Sequence, residues 1–398
     1  MTLSRRHFFF GSLALPALAA KKPAVKKPAG EQPNILLILV DGLPSWVLGC
    51  YGNREVFTPN IDRLSQTGIR FLNNAVCAPV GADNRAILLS GRTSLQLEKK
   101  GFPPDGETAL AKILAGEGYA VQTADGGAGS PATSVEIPSG GKPFFQIVSY
   151  QFQAPYQGVA QKYQEMYAKA KLDTFDREPV ARNASRDKEM LTGILANQRQ
   201  AAAAVSALDN EVGALWSKLR DRKLQDTTLV IFTATCGSLL GRHGLWGSGD
   251  GSDPVNMFEE VVAPPLLWSW QGHTPAQATR PELVSNYDLM PTLCELTGAD
   301  LPDQNLCGRS YLPLATGRPL PRKQPWRTVV FGSFQSTGMA RGDRYKLVQR
   351  EGGKGPGELY DLRMDPREKV NQYGNPQFLT VRTGLTADLA KWKQRYSG

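Results

Sequence analysis

The chain has 398 residues, 41% of them hydrophobic, and a formal net charge of +9, a length that holds one large domain or a large and a small one. Residues 1–31 carry Arg5, Arg6, Lys21, Lys22, Lys26 and Lys27 against Glu31, a net of +5, which leaves only +4 for the rest, a mildly basic solvated surface and not a nucleic-acid footprint. Only three histidines occur, His7, His243 and His273, which counts against an imidazole-rich hydrolytic site, and no apolar run after residue 20 is long enough to span a bilayer.

In chain order, Ser4-Arg5-Arg6-His7-Phe8-Phe9 and the apolar run that follows resemble a bacterial twin-arginine signal over residues 1–20, with small residues at Ala17-Leu18-Ala19 for cleavage. Periplasmic or secreted location is the expectation. Lys21 to Gln32, rich in Lys, Pro and Ala, reads as a semi-extended linker. Asn34 to Val40 is a continuous apolar run ending at Asp41, which predicts a central parallel strand buried on both faces. In open α/β sheets ligands bind beyond the C-terminal ends of such strands, so Asp41 stands where chemistry would occur. Helices are predicted from Pro59, over Arg85 to Gly91, and over Thr108 to Ala115; strands are predicted beginning at Gly118 and over Pro143 to Tyr150. Val205, Leu208, Val212, Leu215 and Leu219 recur every three or four positions, predicting an amphipathic helix between Gln198 and Arg222, followed by a strand from Thr228 to Thr233. The cysteines, Cys50, Cys77, Cys236, Cys294 and Cys307, form no C-x-x-C pair; Cys294 and Cys307 are read either as a local disulfide of an exported protein or as two unpaired thiols.

One stretch organises the rest: Ala78-Pro79-Val80-Gly81-Ala82-Asp83-Asn84-Arg85-Ala86-Ile87-Leu88-Leu89-Ser90-Gly91-Arg92. It resembles the segment A-P-V-C-x-P-S-R-A-x-L-L-T-G-R of the sulfatases, a branch of the alkaline phosphatase superfamily. Further stretches resemble that family in its order: Thr58 to Leu64, Pro143 to Tyr150 with Ala154-Pro155-Tyr156, Leu208 to Gly213, Leu240 to Gly249, Tyr287 to Leu293, and Glu358 to Asn371. The resemblance implies an α/β, alkaline phosphatase-like sandwich: a large, mixed, mostly parallel sheet flanked by helices over residues 33–320, and a small C-terminal strand and helix subdomain over 321–398.

In that family the Cys of the organising segment is oxidised to formylglycine, and calcium sits between an Asp-Asp pair after the first strand and an Asp-His or Asp-Asn pair after a later one. Here Gly81 stands at the nucleophile position. Cys77 has a Pro two residues on, but using it would put Leu88 to Arg92 four residues out of register. The metal positions read Asp41, Gly42, Thr235 and Cys236, so Asp41 alone is a hard-cation ligand. The Lys and His positions read Ser248, Tyr156 and the neighbourhood of Gly126 and Ala128. Arg85, Asp83 and His243 are the pocket candidates, and Arg85, Arg92 and Arg242 favour an anion. A missing nucleophile removes the covalent route, and missing cations remove transition-state electrostatics. The expectation is an exported pseudo-sulfatase with no cofactor, in place of the family's calcium. It binds an anionic or sulfated ligand or a protein partner, with no nucleic acid and no transmembrane anchor. The alternative is an active hydrolase with a site rebuilt from Asp83, Ser248 or Cys236.

Overall fold

The computed structural model describes residues 32–100, 109–126, 135–138, 140–302, 305–320, 325–353 and 355–397. The expected signal segment over residues 1–20, the expected linker before Gln32 and the position near Ala128 lie outside them.

Eleven strands form two sheets among these residues. In the larger, β1 (Asn34–Asp41) is flanked by β4 (Phe144–Gln151) and β5 (Thr228–Ala234), both parallel to it. Outside β4 lies β3 (Ala120–Gly126), also parallel. On the other side, β6 (Leu266–Ser269) runs antiparallel to both β5 and β2 (Ile69–Ala75), and β7 (Ala278–Ser285) closes the edge parallel to β2. The order is β3-β4-β1-β5-β6-β2-β7.

Alternation along β1 explains its unbroken apolar run. Leu36, Ile38 and Val40 face a core that includes Val205, Val212 and Leu215 of the long helix Ile194–Asp221. Ile35, Leu37 and Leu39 face a second core, with Leu88 and Leu89 of the helix Gly81–Ser90 and Leu293 of the helix Leu289–Thr297. A central strand under two helical layers has no solvent face, so polar alternation is absent. The fold is the mixed, mostly parallel α/β sandwich that the resemblance implied.

The smaller sheet is antiparallel, in the order β11 (Glu358–Asp361), β10 (Tyr345–Arg350), β9 (Thr337–Gly342), β8 (Val329–Phe334). The helix Leu379–Tyr396 packs on it, and Leu389 and Trp392 share a cluster with Cys77, Ile87 and Tyr287 of the larger unit. A buried ion cluster also anchors the smaller sheet to Glu259, in the segment between β5 and β6. Lys346 of β10 lies 2.6 Å from Glu368 and 3.1 Å from Glu259, and Arg341 of β9 lies 3.0 Å from Glu259.

The predicted helix at Arg85 begins four residues earlier, at Gly81, and is closed by Gly91 at φ +67°, whose N–H donates to Ile87. Cys294 and Cys307 are unpaired thiols in different clusters, and Cys307 Sγ accepts from Trp392 Nε1 at 3.2 Å. No described helix is long and apolar enough to cross a membrane.

Candidate functional site

The parallel strands β4, β1 and β5 end side by side, and the register sets Asp41 opposite Gln151 of β4 and Val40 opposite Ala234 of β5. The residue after β5, Thr235, therefore stands beside Asp41. Its hydroxyl donates to Asp41 Oδ1 at 2.6 Å, and Gln151 Nε2 donates to Oδ2 at 3.1 Å. Gly42, at φ +83°, turns the chain so tightly that a Cβ there would meet the Phe152 carbonyl at 2.7 Å.

Gly81 opens its helix against this pair. A Cβ at Gly81 would stand 3.1 Å from Thr235 Oγ1 and 3.3 Å from Asp41 Oδ1. Gly81, Asp41 and Thr235, the residues matched to the family's nucleophile and to its first and third metal positions, thus converge, as a glycine, a carboxylate and a hydroxyl. Asn84 holds the loop before the helix by donating to the Ala78 carbonyl.

In front of the pair is a cavity of about 170 Å³. Cys236 and Ser248 lie on its wall with Asp41, Asp187 and Asp250. Burial, with Asp41 nearby, pushes the Cys236 thiol up to about 12, so it stays protonated at neutral pH. Ser248 Oγ donates to Asp250 Oδ1 at 2.8 Å, and Asp250 also pairs with the largely exposed Arg186. Burial raises the Asp187 carboxyl, and Glu189 adds to the rise. Tyr156, buried and at φ +56°, lines both this cavity and a second one, with its ring 5.0 Å from that of Phe152.

The remaining sequence candidates lie elsewhere. Arg85 donates to Ser149 Oγ at 2.7 Å and does not line the cavity. Asp83 is half-buried on the side facing Glu98, whose carboxyl is raised by burial and by Asp83. His243, grouped with them from its motif, is stacked on Phe258 at 3.7 Å, with Nε2 3.4 Å from Glu260 and its backbone N–H on Glu178. Arg242 is fixed over the Trp46 ring at 3.5 Å and pairs with Glu260 at 3.3 Å. Both are tied into packing behind the cavity and do not face a ligand. Cys77 is fully buried beside Ser94, and burial pushes its thiol up to about 12.

Arg186, Asp187, Asp250 and Gln151 were not anticipated. No signal in the sequence pointed to Gln151: the predicted strand stops at Tyr150, and the pairing that sets Gln151 opposite Asp41 is a matter of register. Asp250 follows Ser248 by two residues, whereas Arg186 and Asp187 sit in a segment without periodicity or motif.

Calcium does not fit this donor set. It takes about six to eight oxygen ligands, usually with several carboxylates. Asp41 has both oxygens engaged by Thr235 and Gln151, Gly42 offers no side chain, and Cys236 is a soft, protonated group. Among the described residues no three His, Cys, Asp or Glu side chains are grouped to hold a metal.

Comparison with known proteins gives concordant matches. The family model described as Sulfatase matches residues 33–134 and 131–299, and that described as N-sulphoglucosamine sulphohydrolase, C-terminal, matches 247–395. Arylsulfatase A of Homo sapiens is 27% identical, over 90% of this chain and 86% of its own length; the ulvan-active sulfatase of Formosa agariphila is 25% identical, over 91% and 80%. A solved structure described as a complex with its substrate D-glucosamine-2-N,6-O-disulfate superposes with a TM-score of 0.77 at 20% identity, covering 92% of this chain and 98% of that one. The phosphonate monoester hydrolase of Agrobacterium radiobacter gives 0.71 at 19%, covering 92% and 96%.

Proposed function

This chain belongs to the sulfatase family, whose reaction is the hydrolysis of sulfuric esters, and we propose that it is a member whose hydrolytic site has been dismantled and whose pocket serves binding. The observation that carries this reading is Gly81. The position that presents the nucleophile elsewhere in the family has no side chain, and it faces a carboxylate already held by Thr235 and Gln151. Without a nucleophile the covalent route is closed. Without a metal or a lysine the charge developing on a departing ester oxygen has nothing to stabilise it, and that is usually the largest catalytic contribution. The scaffold motifs between the altered positions are intact, which supports a retained role for the fold. Twin-arginine export to the periplasm or medium belongs to the same proposal, as does a ligand or protein partner for the pocket.

One observation favours a second reading. Ser248 donates to Asp250 on the cavity wall, the beginning of a rebuilt hydrolase site. No imidazole completes it, because His243 is engaged with Phe258 and Glu260. A panel of aryl sulfate and aryl phosphate esters assayed with purified protein separates the two. The binding reading expects no turnover above buffer; turnover abolished by Ser248→Ala would establish the second.

A further inference from the structure

We propose that the remodelled pocket binds an organic cation with an aromatic body, its ammonium among Asp41, Asp187 and Asp250 and its body in the adjoining aromatic cavity. The inference rests on the non-catalytic reading above and names the ligand class for that site.

The first support is charge. An ester-sulfate pocket has to be cationic, since its ligand is an anion. Here three carboxylates line the cavity against one guanidinium, that of Arg186, which is 66% exposed and so screened by solvent. None of the three arginines expected to attract an anion lines the cavity: Arg85 is on Ser149, Arg242 is in its pair with Glu260, and Arg92 follows the far end of the helix that opens at Gly81. An anion entering this space is repelled, and a cation is attracted.

The second support excludes a bare metal ion. The three carboxylates do not form a metal-ligating group with any His, Cys, Asp or Glu among the described residues. Asp41 is held by Thr235 and Gln151, and Asp250 by Ser248 and Arg186. Dispersed, partly hydrogen-bonded carboxylates suit a diffuse organic ammonium better than an ion that demands close ligation. Phe152, Tyr156 and Trp246 line the same cavity and supply the aromatic faces that ammonium groups favour.

The third support is the neighbouring space. Phe152, Gln153 and Tyr156 are shared with a second cavity of about 310 Å³, whose walls include Tyr150, Tyr163 and Ala207. It is largely apolar and of a size for one aromatic ring system. Each cavity also has a wall residue with an unsatisfied polar atom. Among the described residues the Trp246 indole N–H, on a side chain 1% exposed, makes no well-formed hydrogen bond, although Tyr156 is a polar neighbour, and the Tyr150 hydroxyl, on a side chain 4% exposed, has no partner. Buried polar groups are normally paired, so both are places for a ligand's polar atoms.

The test is calorimetric titration of the full chain with 2-phenylethylammonium, with its neutral counterpart 2-phenylethanol, and with phenyl sulfate. The ammonium is expected to bind one per chain, at least about tenfold more tightly than the alcohol, with phenyl sulfate weakest. Asp187→Asn with Asp250→Asn should weaken the ammonium by about tenfold or more and leave the alcohol unchanged, whereas Ala207→Phe should weaken both. If the Asp variant does not fold, ionic strength decides with the wild-type protein: added salt must weaken the ammonium and not the alcohol. No ammonium binding at millimolar concentration, tighter binding of phenyl sulfate, or salt-independent ammonium binding overturns the proposal. Hydrolysis of phenyl sulfate in the same cell would overturn the non-catalytic reading on separate grounds, because the ammonium-to-alcohol ratio is measured with no ester present.

Discussion

Restoring the nucleophile should not restore the enzyme. Gly81→Cys with Asp83→Pro rebuilds the C-x-P-x-R order ahead of Arg85. The fold should accept it. The new Cβ would stand 3.1 Å from Thr235 Oγ1 and 3.3 Å from Asp41 Oδ1, a crowding that costs about 1–3 kcal/mol. Replacing a helical glycine returns about 0.5 kcal/mol. Proline at the third helical position displaces no intrahelical donor, and losing the first-turn carboxylate costs about 0.3–1 kcal/mol. The net is a loss of about 1–3 kcal/mol, a drop of several degrees in Tm. The chemistry is another matter. A sulfate about 5 Å from Asp41, at an effective dielectric of about 20, is repelled by about 3 kcal/mol, where the family's cations would attract it. Each missing electrostatic donor removes about a hundredfold to a thousandfold in turnover. With the lysines and the metal gone, the expected rate is at least about a millionfold below a working site and so undetectable. The assay is expression with a formylglycine-generating partner, mass spectrometry to confirm the aldehyde, and release of 4-nitrophenol from its sulfate. Turnover clearly above that of the unaltered protein would refute the electrostatic reasoning.

Calcium or magnesium added after dialysis should leave Tm unchanged, since Asp41 is the one carboxylate at the family's metal positions; stabilisation of several degrees at micromolar ion would count against the donor-set analysis. Arg5→Lys with Arg6→Lys should retain the protein in the cytoplasm, and undiminished periplasmic recovery on fractionation would remove the export proposal. The buried Glu368 carboxyl titrates within the accessible pH range. Burial pushes it up, Lys346 at 2.6 Å pulls it back, and Glu259 and Glu260 raise it again, to about 8. The folded state therefore holds a proton that the unfolded chain has released, so this group's contribution is full below its ordinary 4.5 and is lost as pH rises toward 8. The stability of the wild-type protein relative to Glu368→Gln should fall between pH 5 and pH 8 in denaturant titrations; parallel pH profiles would show that Glu368 is not the titrating group.

Local pattern was enough to read the sheet and the family. The apolar run of Asn34–Asp41 could only be a strand covered on both faces, and two helical layers cover it. The order of short motifs around Gly81, Tyr156 and Ser248 pointed to the family that the matching model shows, because those motifs are contiguous in the chain. The acidic lining of the cavity is not contiguous in the chain. Asp41, Asp187 and Asp250 come from the end of a central strand and from two distant loops, and their juxtaposition depends on where those loops cross the sheet. Gln151 reaches Asp41 through a parallel register that spacing in the chain does not encode. His243 is legible as a motif residue, yet its φ of +58° and its stacking on Phe258 turn it toward Glu260 and away from the cavity. A residue's identity and its neighbours in the chain are sequence properties. The direction in which a side chain points, and the partner that takes up its charge, follow from how separate segments pack, as Gln151 and Thr235, each more than a hundred residues from Asp41, show.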